Sequence, residues 1–215
     1  MKKLLSILLL GTILVILIIS ALAWLSYKPQ SWYAPPNYSN PEVAKLADRA
    51  EYRLNEEFHK IRDPEHQWSI RVTDQAMNAW LSGRLEGWLT HDQDMELPPN
   101  FKDPQVYTTP AGIWLGAMVS AEPPGGEKEA LFRPVAIQLL VWVDNGGLYV
   151  EPMALRLGVI PIPLTVLETI MEEIDSKTQV IDAIAPLMDD REVHIREITL
   201  ENGAIVLTCQ TVLPQ

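Results

Sequence analysis

Side chains able to do acid–base, nucleophilic or metal chemistry are thinly spread along this sequence. Its four histidines stand at positions 59, 66, 91 and 194. Glu56 and His59 form one Glu-x-x-His pair, an element that di-iron helix bundles use twice. There is no second copy, so a solvated helix face accounts for it. His91, Asp92, Asp94 and Glu96 offer donors to a hard cation, but they lack the spacing of a calcium loop and read as a solvated stretch. Glu172-Glu173 and Asp189-Asp190 are adjacent carboxylates, which point in different directions on a helix and fit ordinary surface charge. Neither a nucleophile elbow, nor a zinc-protease pair, nor a phosphate-binding glycine loop occurs. The single cysteine, Cys209, excludes an intrachain disulfide and a multi-cysteine metal site. Strand alternation sets it beside Ile205, Leu207 and Leu213, where a small buried thiol is expected. The reading is a non-enzymatic protein without metal or cofactor. An enzymatic alternative survives only through residues distant in sequence.

The unusual feature is apolar. Leu155-Arg156-Leu157-Gly158-Val159-Ile160-Pro161-Ile162-Pro163-Leu164 leaves a strand pattern and enters a helix pattern while staying hydrophobic. Trp80, Trp88, Trp114 and Trp142 add large rings on neighbouring elements. One account is a core crossover. The other is a groove for acyl chains, which needs apolar walls and few polar groups. On that account Trp80, Trp88, Trp114, Trp142, Leu157, Val159, Ile160, Ile162 and Leu164 are the candidate ligand-binding residues.

Of the 215 residues 47% are hydrophobic, and the excess is concentrated at the N-terminal end. Residues 4–25 carry no charge, and only Ser6, Gly11, Thr12 and Ser20 interrupt the apolar side chains. As a helix this run spans roughly 33 Å, a match for a hydrocarbon core of about 30 Å. It is longer than a signal-peptide core, although Ala21-Leu22-Ala23 has the small-x-small form of a cleavage site. Trp24, Tyr27, Trp32 and Tyr33 follow, residues that favour the membrane interface. A retained single-pass anchor with a cytoplasmic N-terminus is the favoured reading, set by Lys2 and Lys3; a cleaved, secreted form is the alternative. Either way the remainder is exported. Because Lys2 and Lys3 precede the run, the chain's formal charge of −11 becomes −13 for that remainder. So acidic a surface argues against nucleic-acid binding.

Three regions follow: an anchor or signal segment at 1–27, a Pro/Tyr-rich spacer at 28–40 and an exported domain at 41–215. The spacer reads as a stiff extended stretch, with packing of its aromatics on the domain as the alternative. Asn40-Pro41-Glu42 starts a helix that runs to about Arg62. Trp68, Ile70 and Val72 alternate as a strand. A second helix, capped by Thr73 or Asp74, carries Ala76, Met77, Trp80, Leu81, Leu85 and Trp88. Thr90 to Pro110 holds four prolines and reads as a long loop. Strands are expected at 113–121, 131–143 and 148–157, the last two joined across Asp144-Asn145-Gly146-Gly147. Thr165 and Glu168 have capping-box spacing, with Val166, Leu167, Ile170, Met171 and Ile174 on one helical face and a continuation or second helix running to about Ala185. A hairpin of 193–200 and 204–213 closes the chain across Glu201-Asn202-Gly203. The expected fold is α+β, a mainly antiparallel and curved sheet packed with two to four helices.

One charged N-terminus, one membrane helix and a helix from Thr73-Asp74 through Asn78-Ala79-Trp80-Leu81 resemble the start of the YpmS-like family of uncharacterised bacterial membrane-anchored proteins. Leu157-Gly158-Val159-Ile160-Pro161-Ile162-Pro163-Leu164-Thr165 is similar to that family's Leu-Gly-x-Leu-x-Ile-Pro signature, and the hairpin at Asn202-Gly203 also fits. The helix from Pro41 to Arg62 and the stretch from Thr90 to Pro110 depart from the shorter family pattern. The resemblance implies a curved sheet around a long helix, similar to tubular lipid-binding domains, and supplies no catalytic residues. Two functions are weighed: an envelope protein binding a lipid or other apolar ligand beside the bilayer, and a structural module that meets an envelope protein partner.

Overall fold

A computed structural model describes residues 2–64, 66–92, 95–121, 130–163, 165–166, 169, 179–187 and 190–213. Side chains at 2–8, 92 and 179 lie outside that description. The N-terminal apolar run forms α1 (Lys2–Tyr27), whose residues from Leu9 to Trp24 are exposed on all sides. It is long and apolar enough to cross a membrane. The remainder is an α+β domain of α2 (Pro41–His59), β1 (Gln67–Thr73), α3 (Asp74–Gly83), α4 (Leu85–Asp92), β2 (Phe101–Thr109), β3 (Gly112–Ser120), β4 (Phe132–Asp144), β5 (Gly147–Leu157), β6 (Ile160–Ile162), β7 (Gln179–Asp182), β8 (Ile184–Pro186), β9 (Glu192–Glu201) and β10 (Ala204–Val212).

The described strands form two antiparallel sheets, one ordered β1-β10-β9-β8 and one ordered β2-β3-β4-β5-β6. β7 also pairs with β5, opposite Gly147–Val150, whereas β6 pairs opposite Leu155–Leu157. Neither sheet closes on itself among the described residues. Register shifts at Lys102/Gln105, Gln138/Leu139 and Thr208/Cys209 mark bulges, where strands bend. The β4–β5 turn takes the left-handed backbone that an Asn-Gly hairpin requires, with φ of 48° at Asn145 and 79° at Gly146.

α3 joins the sheets. Thr73 caps it, accepting from the Ala76 N–H at 3.3 Å. Asn78 then treats the free edge of β2 as a strand would: its Nδ2 donates to the Val106 carbonyl (2.9 Å), and its Oδ1 accepts from the Val106 N–H (2.6 Å). Asp74 accepts from the Thr108 N–H (2.7 Å) and hydroxyl (2.5 Å). The β9–β10 turn completes the junction, since Asp74 N donates to Gly203 O at 2.9 Å and Gly203 N to Thr108 O at 3.0 Å. An edge strand covered in this way is closed to pairing with another chain. At the other end of the domain, Arg191 donates to the carbonyls of His59 and Lys60 (3.0 and 3.1 Å), capping the negative end of α2.

Four expectations are corrected. The stretch from Thr90 to Pro110 is not a long loop, because β2 occupies Phe101–Thr109. Its Pro104 is tolerated at a bulge on an edge strand, next to Asp103 at φ 54°. Helix does not continue to Ala185; Val180 and Ile181 pair in β7, and Ile184–Pro186 form β8. Of the helix expected from Thr165, residues Thr165, Val166 and Thr169 are helical, while 164, 167–168 and 170–178 lie outside the described residues. The helix expected to run through Trp88 divides into α3 and α4 at Arg84. The ring of Tyr38 sits where a Cβ on Gly83 would be, 1.7 Å from its nearest carbon. The helix of Pro41 ends at His59 rather than Arg62. Segment 28–40 follows the second of its two readings, with its aromatics packed on the domain. Gln30 and Tyr33 are buried, and Tyr33 donates to the Asp103 carbonyl at 2.8 Å.

Candidate functional site

Strand alternation gives the six-stranded sheet, β2 to β7, two unlike faces. One carries Tyr107, Trp114, Gly116, Gln138, Trp142, Tyr149 and Arg156. Segment 28–40 covers the part around Gly116. Trp32 stacks on Tyr107 (centroids 5.4 Å, planes 11° apart), and a Cβ on Gly116 would lie 2.7 Å from the Trp32 ring and 3.0 Å from Tyr33. Glycine is needed there because two rings occupy the space above it. Burial, with the Asp103 charge adding to it, pushes the Tyr33 phenol far above its ordinary range. Arg156 lies over Trp114 at 4.7 Å, and Trp142 stacks on Tyr149 at 5.3 Å.

The opposite face is aliphatic: Val135, Ile137, Leu139 and Val141 of β4, Leu155 and Leu157 of β5, Ile160 and Ile162 of β6, and Leu115 of β3. Towards β2 this face is closed, with Val106, Thr108 and Ile113 all buried. Towards β4, β5 and β6 it is not closed among the described residues. Those side chains are only half-buried, and Leu115 keeps 39% of its surface. Central strands of a closed core bury such residues fully, so this is a partly open apolar surface.

That surface begins where α1 ends. The Leu25 carbonyl accepts from the Val159 N–H at 3.2 Å, and Gly158 N donates to Pro134 O at 2.7 Å. Gln30 Nε2 donates to the Gly158 carbonyl. Ser26 is buried. Gly158 sits at φ 60°, and a Cβ there would lie 2.2 Å from the Leu25 carbonyl oxygen. The last turn of α1 is thus fastened to the β5–β6 turn by backbone contact that only glycine allows. Arg133, on the aliphatic face by alternation with Val135, stands at the same level. Its guanidinium lies 4.6 Å over the Tyr27 ring and donates to the Tyr27 hydroxyl at 3.1 Å.

The residues singled out in the sequence divide among three places. Leu157, Ile160 and Ile162 are together on the aliphatic face, with Val159 in the turn that meets α1. Trp114 and Trp142 are on the opposite face. Trp80 and Trp88 pair edge-to-face at 5.9 Å on α3 and α4. Leu164 lies outside the described residues. Sequence reasoning missed Arg133 and the junction at Gly158. The available signal for the first was an arginine opening the alternation Arg133, Val135, Ile137, Leu139, Val141. The ionisable side chains are scattered: His59 is exposed and turned to the Asn55 carbonyl (2.9 Å), and no cluster able to hold a metal ion occurs among the described residues. Compared with family models, with curated proteins and with solved structures, the chain matches none.

Proposed function

We propose that this chain is a non-enzymatic, single-pass envelope protein that binds a lipid or other apolar ligand beside the bilayer. α1 is retained as the anchor with its N-terminus in the cytoplasm, following the positive charges of Lys2 and Lys3. The domain then stands on the outer side. The observation that supports the reading is the half-buried aliphatic face of β4, β5 and β6, rising directly from the end of α1. Apolar surface left open next to a bilayer is suited to an apolar occupant. The resemblance to the YpmS-like family agrees with the membrane-anchored part of the proposal.

The experiment pairs lipid content with stability. Full chain purified in mild detergent should carry lipid in near-stoichiometric amount. Ile137→Ala and Ile162→Ala should lower that content, yet cost the delipidated chain only about 1 kcal/mol or less. If the face is ordinary core, the same changes cost about 2–5 kcal/mol and leave lipid content as it was. The second reading, a structural module meeting an envelope protein, draws on the charge of −13 beyond α1. It requires a lipid-free domain and a basic partner whose binding weakens with salt.

A further inference from the structure

The aliphatic face has a polar end, and its chemistry narrows the ligand. Arg133 opens the β4 series that continues as Val135, Ile137, Leu139 and Val141. Its guanidinium is held against Tyr27 in the last turn of α1, next in sequence to Lys28, whose ammonium lies over the Trp24 ring. A residue at that level meets lipid headgroups. Guanidinium carries five donor hydrogens, and the Tyr27 hydroxyl takes one. No carboxylate pairs with it among the described residues. In a domain whose acids outnumber its bases, a cation placed here and held by a neutral ring is suited to an anion from outside the chain. Beyond it the strip from Arg133 to Val141 extends about 26 Å, longer than the roughly 15 Å that one leaflet's acyl chains span.

We propose that Arg133 is the headgroup end of this site, and that its ligand is an anionic phospholipid of the adjoining leaflet. The phosphate pairs with the guanidinium, a geometry arginine favours, and an acyl chain leaves the bilayer to lie on Ile137, Leu155 and Leu157. This rests on the apolar-ligand reading above and adds the charge, the source and the direction of the ligand.

The test uses the full chain in phosphatidylcholine nanodiscs. These carry a trace of phosphatidylglycerol, or of phosphatidylcholine, with a photoreactive diazirine near the end of one acyl chain. Crosslinks to peptides of β4 and β5 are counted apart from those to α1. In the wild type β4 and β5 should be labelled about tenfold more by the anionic probe, because the choline ammonium of the zwitterionic probe offsets its phosphate charge at the guanidinium. Arg133→Gln should bring the anionic yield down to that of the zwitterionic probe, Arg133→Lys should restore part of it, and Arg49→Gln on α2 should change nothing. Protection of Cys209 from a thiol reagent certifies that each variant is folded. Equal labelling of β4 and β5 by both probes, indifferent to Arg133→Gln, would overturn the headgroup pairing and leave the apolar face standing. Labelling confined to α1 with both probes would mean contact with the bilayer surface alone and would remove both proposals.

Discussion

Cys209 shows how far a single residue can be argued from pattern to chemistry. Alternation along β10 turns it inward, and it is fully buried. Burial pushes its thiol from an ordinary 9.0 up to about 11, against a smaller opposing pull from the Arg62 charge. The thiolate is the nucleophile, so the folded protein should resist a thiol reagent at pH 8 and react only on unfolding. The raised value also bears on stability. Its contribution is intact below pH 9, where both states keep the proton, and is lost as pH rises towards 11, because the unfolded chain gives the proton up first. Unfolding followed from pH 8 to 11 should show this decline, and Cys209→Ala should flatten it. Rapid labelling of the native chain would contradict the burial argument. Arg133 illustrates the opposite case. One arginine at the start of a strand is unremarkable as sequence, and only the position of Tyr27, 106 residues earlier, gives it meaning.

At the scale of elements, the side chains of α3 stand in for a strand. Asn78 satisfies both backbone groups of Val106, and Asp74 both groups of Thr108. Asn78→Ala would leave a donor and an acceptor of β2 without partners in a partly buried seam, which should cost about 1–3 kcal/mol. Asn78→Asp keeps the acceptor but loses the donor, so it should fall between wild type and alanine. Thermal unfolding of the three proteins checks the order, and an unchanged midpoint for Asn78→Ala would refute the capping role. The same seam explains what could be read in the sequence. β1, β3, β4, β5, β9 and β10 were legible because their alternation is long and their turns carry glycine. β2 was hidden because Pro104 and its bulge break the alternation, and because its edge partners are helical side chains rather than a neighbouring strand. β7 and β8 are too short to show a period, and their pairing is decided by the hairpins they join. The aliphatic half of the candidate site was legible as an apolar run, whereas the assignment of Trp114 and Trp142 to the other face depends on cross-strand register.

In the whole molecule these seams make one body of the membrane-compatible helix and the domain. α1 buries little of itself, and its exposed length projects away from the sheets instead of lying along them. Its last turn is fastened at the foot of β4 and the β5–β6 turn, while β4 carries the chain from Phe132 to Asp144 away from that foot, about 40 Å at some 3.3 Å per residue. If α1 is held in a bilayer, the domain should stand up from the surface rather than swing on a tether. Because Cys209 is buried, a single added cysteine can be labelled selectively in the full chain. A fluorophore on Leu131→Cys, at the foot, should be quenched strongly by headgroup spin-labelled lipid in nanodiscs, and one on Asp144→Cys, at the far hairpin, very little. Gly158→Ala gives the matching perturbation. Its Cβ collides with the Leu25 carbonyl, and a left-handed alanine adds about 1–2 kcal/mol. That variant should free the domain from α1 and shrink the difference between the two positions, while the seam at Asn78 keeps the sheets folded. Similar quenching at both positions in the otherwise native chain would show a domain that lies flat or turns freely, and would remove the fixed foot on which a bilayer-facing site depends.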